Sequence, residues 1–175
     1  MRVYIGYDPR DNDAYKVLEQ SIRENTSEEV ECIPVWDAPL RHKKLYWRAY
    51  HVDEAGQYWD DRDGSFARFA VPMLEDFGDD IVLFMDADMM IRGDIKDLFN
   101  LWDNKYAVMC VKHQQRPSEG TKMDGKIQQA YKRKNWSSVM LMKPSKCREL
   151  NKFKLNNWSG SDLHGMTWLD SDKIG

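Results

Sequence analysis

The 175 residues are 42% hydrophobic, 31% charged and 12% aromatic, with seven tryptophans, which excludes a disordered chain and suffices for one compact domain but not two. A formal charge of -3 excludes the basic excess of a nucleic-acid binder, so a small molecule is the expected partner. Cys32, Cys110 and Cys147 are odd in number and widely spaced with no CxxC pair, which argues against a disulfide framework or a zinc knuckle and for reduced thiols.

From the N-terminus, Arg2 to Ile5 predicts a buried strand, and Asp8-Pro9-Arg10-Asp11-Asn12-Asp13 is turn chemistry before a helix. Neither the apolar stretch of a signal peptide nor a run of membrane-spanning length occurs, so the expectation is a cytoplasmic protein without a transmembrane segment. Tyr15, Val17, Leu18 and Ile22 recur at spacings near three and four, which predicts an amphipathic helix from Asp13 to Glu24. A strand from Val30 to Trp36 follows. Strand, helix and strand in alternation predict an α/β domain with a mostly parallel central sheet flanked by helices, where ligands sit at the carboxyl ends of the strands. Arg41 to Asp63 is charged and aromatic without clean periodicity and reads as an irregular excursion over the sheet edge. Ser65 reads as the N-cap of a helix carrying Phe66, Arg68, Phe69, Ala70 and Leu74, bent or shortened by a late Pro72. Asp80 to Met85 suits a central strand buried on both faces. Strands over Ala107–Val111 and Ser138–Met142 and a helix over Ser145–Asn151 complete the layout, without internal repeats.

Asp86 and Asp88 stand where the central strand ends. Residues two apart on an extended chain point the same way, so both carboxylates are expected to project together from the sheet edge and to repel. Such a pair shares a proton or recruits a cation, and all-oxygen ligation favours hard ions, manganese or magnesium. The plainer reading is that the two cap the strand end or the turn toward Gly93. An apolar strand ending in Asp-x-Asp is also how haloacid-dehalogenase-like phosphatases present their nucleophile and acid. Here Met89-Met90 replaces the Gly-Thr of those enzymes, and the loop lysine and late acid would have to be Lys143 with Asp170 or Asp172.

The ordered blocks Val3-Tyr4-Ile5-Gly6-Tyr7-Asp8, Phe66-Ala67-Arg68-Phe69-Ala70-Val71-Pro72, and Val82 to Asp88 with Gly93-Asp94-Ile95 and Leu98-Phe99 resemble the glycosyltransferase A fold. Within it they look like glycosyltransferase family 8, with glycogenin and the bacterial lipooligosaccharide galactosyltransferases. Val111-Lys112-His113, Lys122-Met123-Asp124, Gln128, Tyr131 and Lys134-Asn135-Trp136-Ser137-Ser138 resemble a microbial and viral branch of such enzymes. Several collinear blocks are far more specific than Asp-x-Asp alone. They span nearly the whole chain as a single Rossmann-like domain: residues 1–110 as the nucleotide-binding half, 111–175 as part of a sugar and acceptor half.

The resemblance implies manganese- or magnesium-dependent transfer of a sugar from a nucleotide donor, usually a UDP-hexose, to a hydroxyl acceptor such as a glycan, with retention at the anomeric carbon. Asp86 and Asp88 would hold the metal, which neutralises charge developing on the diphosphate leaving group. Arg68 would assist, its planar fork suiting the diphosphate or a carboxylate of the pair; an ordinary surface ion pair is the alternative. Gly6, Tyr7 and Asp8 would bind base and ribose, with Asp8 equally suited to capping its own turn. Tyr15 stands where relatives set an aromatic ring against uracil, and core packing accounts for it as well. Ala87 would join the donor site between the two metal ligands. Lys134, Asn135 and Ser137 would line the diphosphate and sugar pocket, with Trp136-Ser137-Ser138 in place of the family's Asn-Ser-Gly or Asn-Ala-Gly. Asp162 and His164 fall where the family carries an Asp-Gln pair, as stabiliser of the reacting sugar and acceptor contact, beside their plainer turn and surface roles. The family's third metal ligand, a C-terminal histidine, has no counterpart up to Gly175; the chain reads as truncated there, with His113 or His164 as substitutes. A non-catalytic module that binds nucleotide or sugar is the remaining alternative, and a viral origin would make the compartment the host cytoplasm.

Overall fold

In the computed structural model, which describes residues 1–48, 51–52, 58–59, 65–113 and 132–175, the first apolar run forms β1 (Arg2–Gly6), buried from Val3 onward. A 3-10 turn at Pro9–Asp11, capped by the Asp8 side chain, leads into α1 (Asn12–Glu24), which turns Leu18, Ser21 and Ile22 inward. β2 (Glu31–Val35) lies parallel to β1 and is followed by α2 (Asp37–His42). The excursion expected over Arg41–Asp63 therefore begins in the last turn of α2. It contains a small antiparallel ribbon of β3 (His51–Val52) and β4 (Tyr58–Trp59); residues 49–50, 53–57 and 60–64 lie outside the described residues.

The helix expected from Ser65 is two short pieces, a 3-10 turn at Ala67–Ala70 and α3 (Val71–Leu74). Pro72 sits in the first turn of α3 and not late in a long helix; a residue without an N–H costs no hydrogen bond there. Ser65 does not cap it, since Phe66 occupies the cap position and no side chain bonds the turn. β5 (Val82–Met85), fully buried, is followed by α4 (Lys96–Asn100), β6 (Val108–Cys110) and β7 (Val139–Met142). Where a helix was expected over Ser145–Asn151 there is only a 3-10 turn at Pro144–Lys146. The regular helix α5 (Lys152–Asn157) starts later, because Asn151 is its N-cap and accepts from the Lys154 amide. α6 (Gly160–His164), capped by Ser159, is the last regular helix.

The sheet order is β2-β1-β5-β7-β6. β2, β1, β5 and β6 run one way and β7 alone runs against them, so the mostly parallel expectation holds with one reversed strand next to the edge. Alternate residues of β1 and β5 serve two cores. Tyr4, Val82 and Phe84 join Phe69, Met140 and Met142 on one face, while Val3, Ile5, Leu83 and Met85 join Leu18, Ile22 and Ile95 on the other. Burial on both faces is why β5 reads as an unbroken apolar run and not as an alternating one.

Candidate functional site

Strand register brings four segments to one edge. Ile5 pairs with Met85 and Gly6 with Val35, so β1, β2 and β5 end together; Met85 also pairs with Val139, so the reversed β7 begins there. One rung beyond the ladder, the Asp86 amide donates to the Ser138 carbonyl at 2.9 Å. Gly6 closes β1 beside Asp86: a Cβ there would lie 3.3 Å from the Phe84 ring and 3.8 Å from Asp86 Oδ1, so any side chain would crowd this edge.

The two carboxylates do not share one environment. The strand stops at Met85 and the chain bends at Ala87 and Asp88, so two parallel side chains on extended backbone give way to a half-buried Asp86 and an exposed Asp88. Asp86 meets Arg68, with Nη2 2.7 Å from Oδ1 and Nη1 3.3 Å from Oδ2. Arg68 is only 8% exposed. Its Nε donates to the Ser65 carbonyl at 2.9 Å, its Nη1 to the Ser137 carbonyl at 2.8 Å, and its plane lies over Phe84. A surface ion pair is thus excluded and carboxylate partner is the role seen. Burial pushes the Asp86 carboxyl above the usual carboxylate range, Arg68 pulls it back, and Asp88 adds a smaller upward push. The repulsion anticipated for the pair is therefore outweighed by a buried cation.

The turn before β7 adds a second cation. Lys134 is 8% exposed, and its ammonium, shielded from water, has no hydrogen-bond partner among the described residues. Asn135 holds a left-handed conformation (φ 63°), and its carbonyl accepts from the Ser138 amide, whose own carbonyl meets Asp86. Ser137, expected to face a sugar, is 1% exposed, with its carbonyl on Arg68 and its hydroxyl 2.8 Å from His164 Nδ1. His164 is likewise no surface histidine: its Nε2 lies 2.9 Å from the Ser65 hydroxyl, and its ring packs edge-on against Phe69. Asp162, exposed in the first turn of α6, closes the cap, accepting from the Ser159 hydroxyl at 2.6 Å while its amide donates back. That is the turn role.

At the ends of β1 and β2, Tyr7 meets Tyr15 edge to face (5.4 Å between centroids) and Trp36 (5.0 Å). Trp36 went unnoticed in the sequence because it reads as the last residue of a strand; the signal that could have found it is its place one residue beyond β2, level with Tyr7 beyond β1. Asp8 takes the turn role, accepting from the Arg10 amide and pairing with its guanidinium at 2.5 Å. Ala87 packs against the core face that contains Val3 and Ile5. Ser65, expected as a helix cap, instead meets His164 Nε2 with its hydroxyl. The segments at Lys122–Asp124, Gln128 and Tyr131 lie outside the described residues.

Asp86 and Asp88 supply oxygen donors only, which fits a hard divalent ion completed by ligand oxygens. No cluster of three or more His, Cys, Asp or Glu that could hold a metal occurs among the described residues, and His113 is exposed on the strand exit with its carbonyl accepting from Trp136 Nε1. The residues a phosphatase would need are not gathered here. Lys143 follows β7 at the opposite end of the sheet and pairs with Asp79 at 3.5 Å, and Asp172 pairs with Lys173. A cleft of about 640 Å³ near that end contains Lys105, Lys146, Lys154 and Lys173. Each of these is answered, by Asp103, the Asn104 carbonyl, Glu149 and Asp172 respectively, whereas Lys134 is not answered by any described residue.

Residues 19–158 match the family described as glycosyl transferase family 8. Protein CDI of Arabidopsis thaliana is 42% identical over 176 residues, which cover 99% of this chain and 65% of that protein. Among solved structures, the bifunctional glycosyltransferase WbbM in its apo form superposes with a TM-score of 0.64 at 15% identity, over 99% of this chain and 38% of that one. The galactosyltransferase LgtC, solved with donor and acceptor sugar analogues, superposes with a TM-score of 0.54 at 13% identity, over 99% and 68%. The chain thus has the glycosyltransferase A-type fold and spans about two thirds of the plant relative and less of the bifunctional enzyme. No helix among the described residues is long and apolar enough to cross a membrane.

Proposed function

The chain belongs to glycosyl transferase family 8, and on that footing we propose that it moves a sugar, a hexose carried by UDP, to a hydroxyl acceptor such as a glycan, with retention at the anomeric carbon. The observation that carries this reading is the ammonium of Lys134, buried and without a hydrogen-bond partner among the described residues, in the turn that closes on Asp86. A cation kept dry and unanswered costs the fold free energy, and a ligand that brings an anion recovers it. The diphosphate of a nucleotide sugar is such an anion. Asp86 and Asp88 would hold manganese or magnesium, which, when bound, neutralises charge developing on the departing diphosphate.

The chain's own residues do the rest. Arg68 offsets part of the cost of a charged Asp86 in a half-dry site and fixes its direction. Lys134 offers its ammonium to the diphosphate. The rings of Tyr7, Tyr15 and Trp36 give the base an aromatic wall beside Gly6, where the missing side chain leaves room for close approach. Asn135, next to Lys134, offers an amide to sugar hydroxyls. In this reading residues 1–110 serve the nucleotide, and 111–175 supply part of the sugar and acceptor half. All three cysteines are free, which suits the cytoplasm as working compartment.

Asp88→Asn tests the assignment. Manganese-dependent UDP binding measured by calorimetry should weaken at least tenfold, while the melting temperature moves by no more than about 2 °C, because an exposed carboxylate carries little of the fold. Unchanged UDP affinity refutes the metal assignment. Release of phosphate from simple monoesters, with no UDP released from UDP-sugars, restores the phosphatase alternative.

A further inference from the structure

Two serines each face two ways. Ser65 turns its carbonyl to Arg68 Nε at 2.9 Å and its hydroxyl to His164 Nε2 at 2.9 Å. Ser137 turns its carbonyl to Arg68 Nη1 at 2.8 Å and its hydroxyl to His164 Nδ1 at 2.8 Å. Guanidinium and imidazole are therefore bridged twice, through serines that come from different parts of the chain. The histidine ring is itself held, edge-on to Phe69 at 5.1 Å and tilted against Phe66 at 5.9 Å.

We infer that His164 is a positioning residue: it fixes Ser65 and Ser137, and through their carbonyls it aims the Arg68 guanidinium at Asp86. Only the place where Arg68 acts, the donor site, rests on the preceding reading. Histidine suits the task because its two nitrogens lie on different sides of one rigid ring, and each can donate to or accept from a hydroxyl. No other side chain spans two hydroxyls in this way while packing as an aromatic. A group that touched the reacting sugar or the acceptor would need a ring nitrogen open toward the ligand, and both are turned to serines. Three elements meet through this ring: the segment before the Ala67–Ala70 turn, the turn before β7, and the end of α6. The Arg68–Asp86 pair consequently depends on where α6 docks.

His164→Phe keeps the ring and its packing and removes both hydrogen bonds. The first readout needs no ligand: hydrogen exchange of the Arg68 Nε–H, followed by NMR. In the wild type this proton is held by the Ser65 carbonyl; in His164→Phe its exchange should quicken about tenfold or more, and in Ser65→Ala and Ser137→Ala by intermediate amounts. Unchanged exchange overturns the inference, and if His164→Phe does not fold, unchanged exchange in both serine variants overturns it equally. The second readout is the affinity for UDP with manganese. Loss of an orienting partner of this kind costs about 10- to 100-fold, so His164→Phe should weaken binding within that range, His164→Gln should recover part of it, and the double variant with Arg68→Met should bind no more weakly than Arg68→Met alone. Losses that multiply overturn the inference, because they place His164 on the ligand by itself. If the wild-type chain binds no UDP, the donor-site reading fails and the exchange measurement alone decides the role of His164.

Discussion

Arg68→Met removes the cation from a buried ion pair and leaves most of the side chain's bulk in place. Asp86, whose side chain is 24% exposed, then keeps a charge with no cation against it, and the carbonyls of Ser65 and Ser137 lose their donor. Breaking a buried pair in this way costs about 3–5 kcal/mol. Water reaching a quarter of the carboxylate, and the packing over Phe84 that methionine retains, lower the expectation to about 2–4 kcal/mol. For a domain of this size the melting temperature should fall by about 5–15 °C. The penalty must also depend on pH. Burial already holds the Asp86 carboxyl above its ordinary range in the fold; a carboxyl raised on folding stabilises the fold while protonated, and that contribution is lost as pH climbs through the folded value. Without Arg68 the folded value rises further. The gap between wild type and variant in thermal melts followed by circular dichroism should therefore be smallest near about pH 4 and largest near pH 8, and adding Asp86→Asn should restore most of the loss. A drop below about 2 °C at pH 8, or a drop that is equal at both pH values and untouched by Asp86→Asn, refutes the reasoning.

Lys134→Met should raise the stability of the ligand-free protein by about 1–3 kcal/mol, since it removes a buried charge that no described residue answers, while weakening UDP binding about tenfold; a lower melting temperature would show that the ammonium is already satisfied. In Tyr4→Phe the Glu75 carboxylate, 6% exposed, loses the hydroxyl that donates to it at 2.5 Å and keeps, among the described residues, Arg2 at 2.8 Å. The expected loss is about 1–2 kcal/mol in urea melts, and one under about 0.5 kcal/mol would mean that Arg2 alone suffices. Burial pushes the Cys147 thiol up to about 12 and that of Cys110 to about 11. Mass-spectrometric mapping of thiol labelling at neutral pH should find Cys147 unmodified until the chain unfolds, and rapid labelling of the native protein contradicts its burial.

Much of this was legible in order along the chain. Arg2 to Ile5, the α1 stripe of Leu18 and Ile22 and the run into Met85 declare their states locally, because burial on one or two faces imprints a period that needs no knowledge of neighbours. The breaks around Ser65 and Asn151 were less legible. A serine or asparagine signals a boundary without saying whether it caps the following helix or serves a distant ring, and Ser65 serves His164, 99 positions away. The sequence by itself determined the α/β class, the family through its collinear blocks, and the place of Asp86 and Asp88 beyond a doubly buried strand. Only the tertiary structure decided that Arg68 answers Asp86, that Lys134 is buried without a partner among the described residues and that His164 holds two serines. Charge balance and hydrogen-bond satisfaction are settled by groups that packing brings together from far along the chain, and residue type and spacing carry no record of that packing.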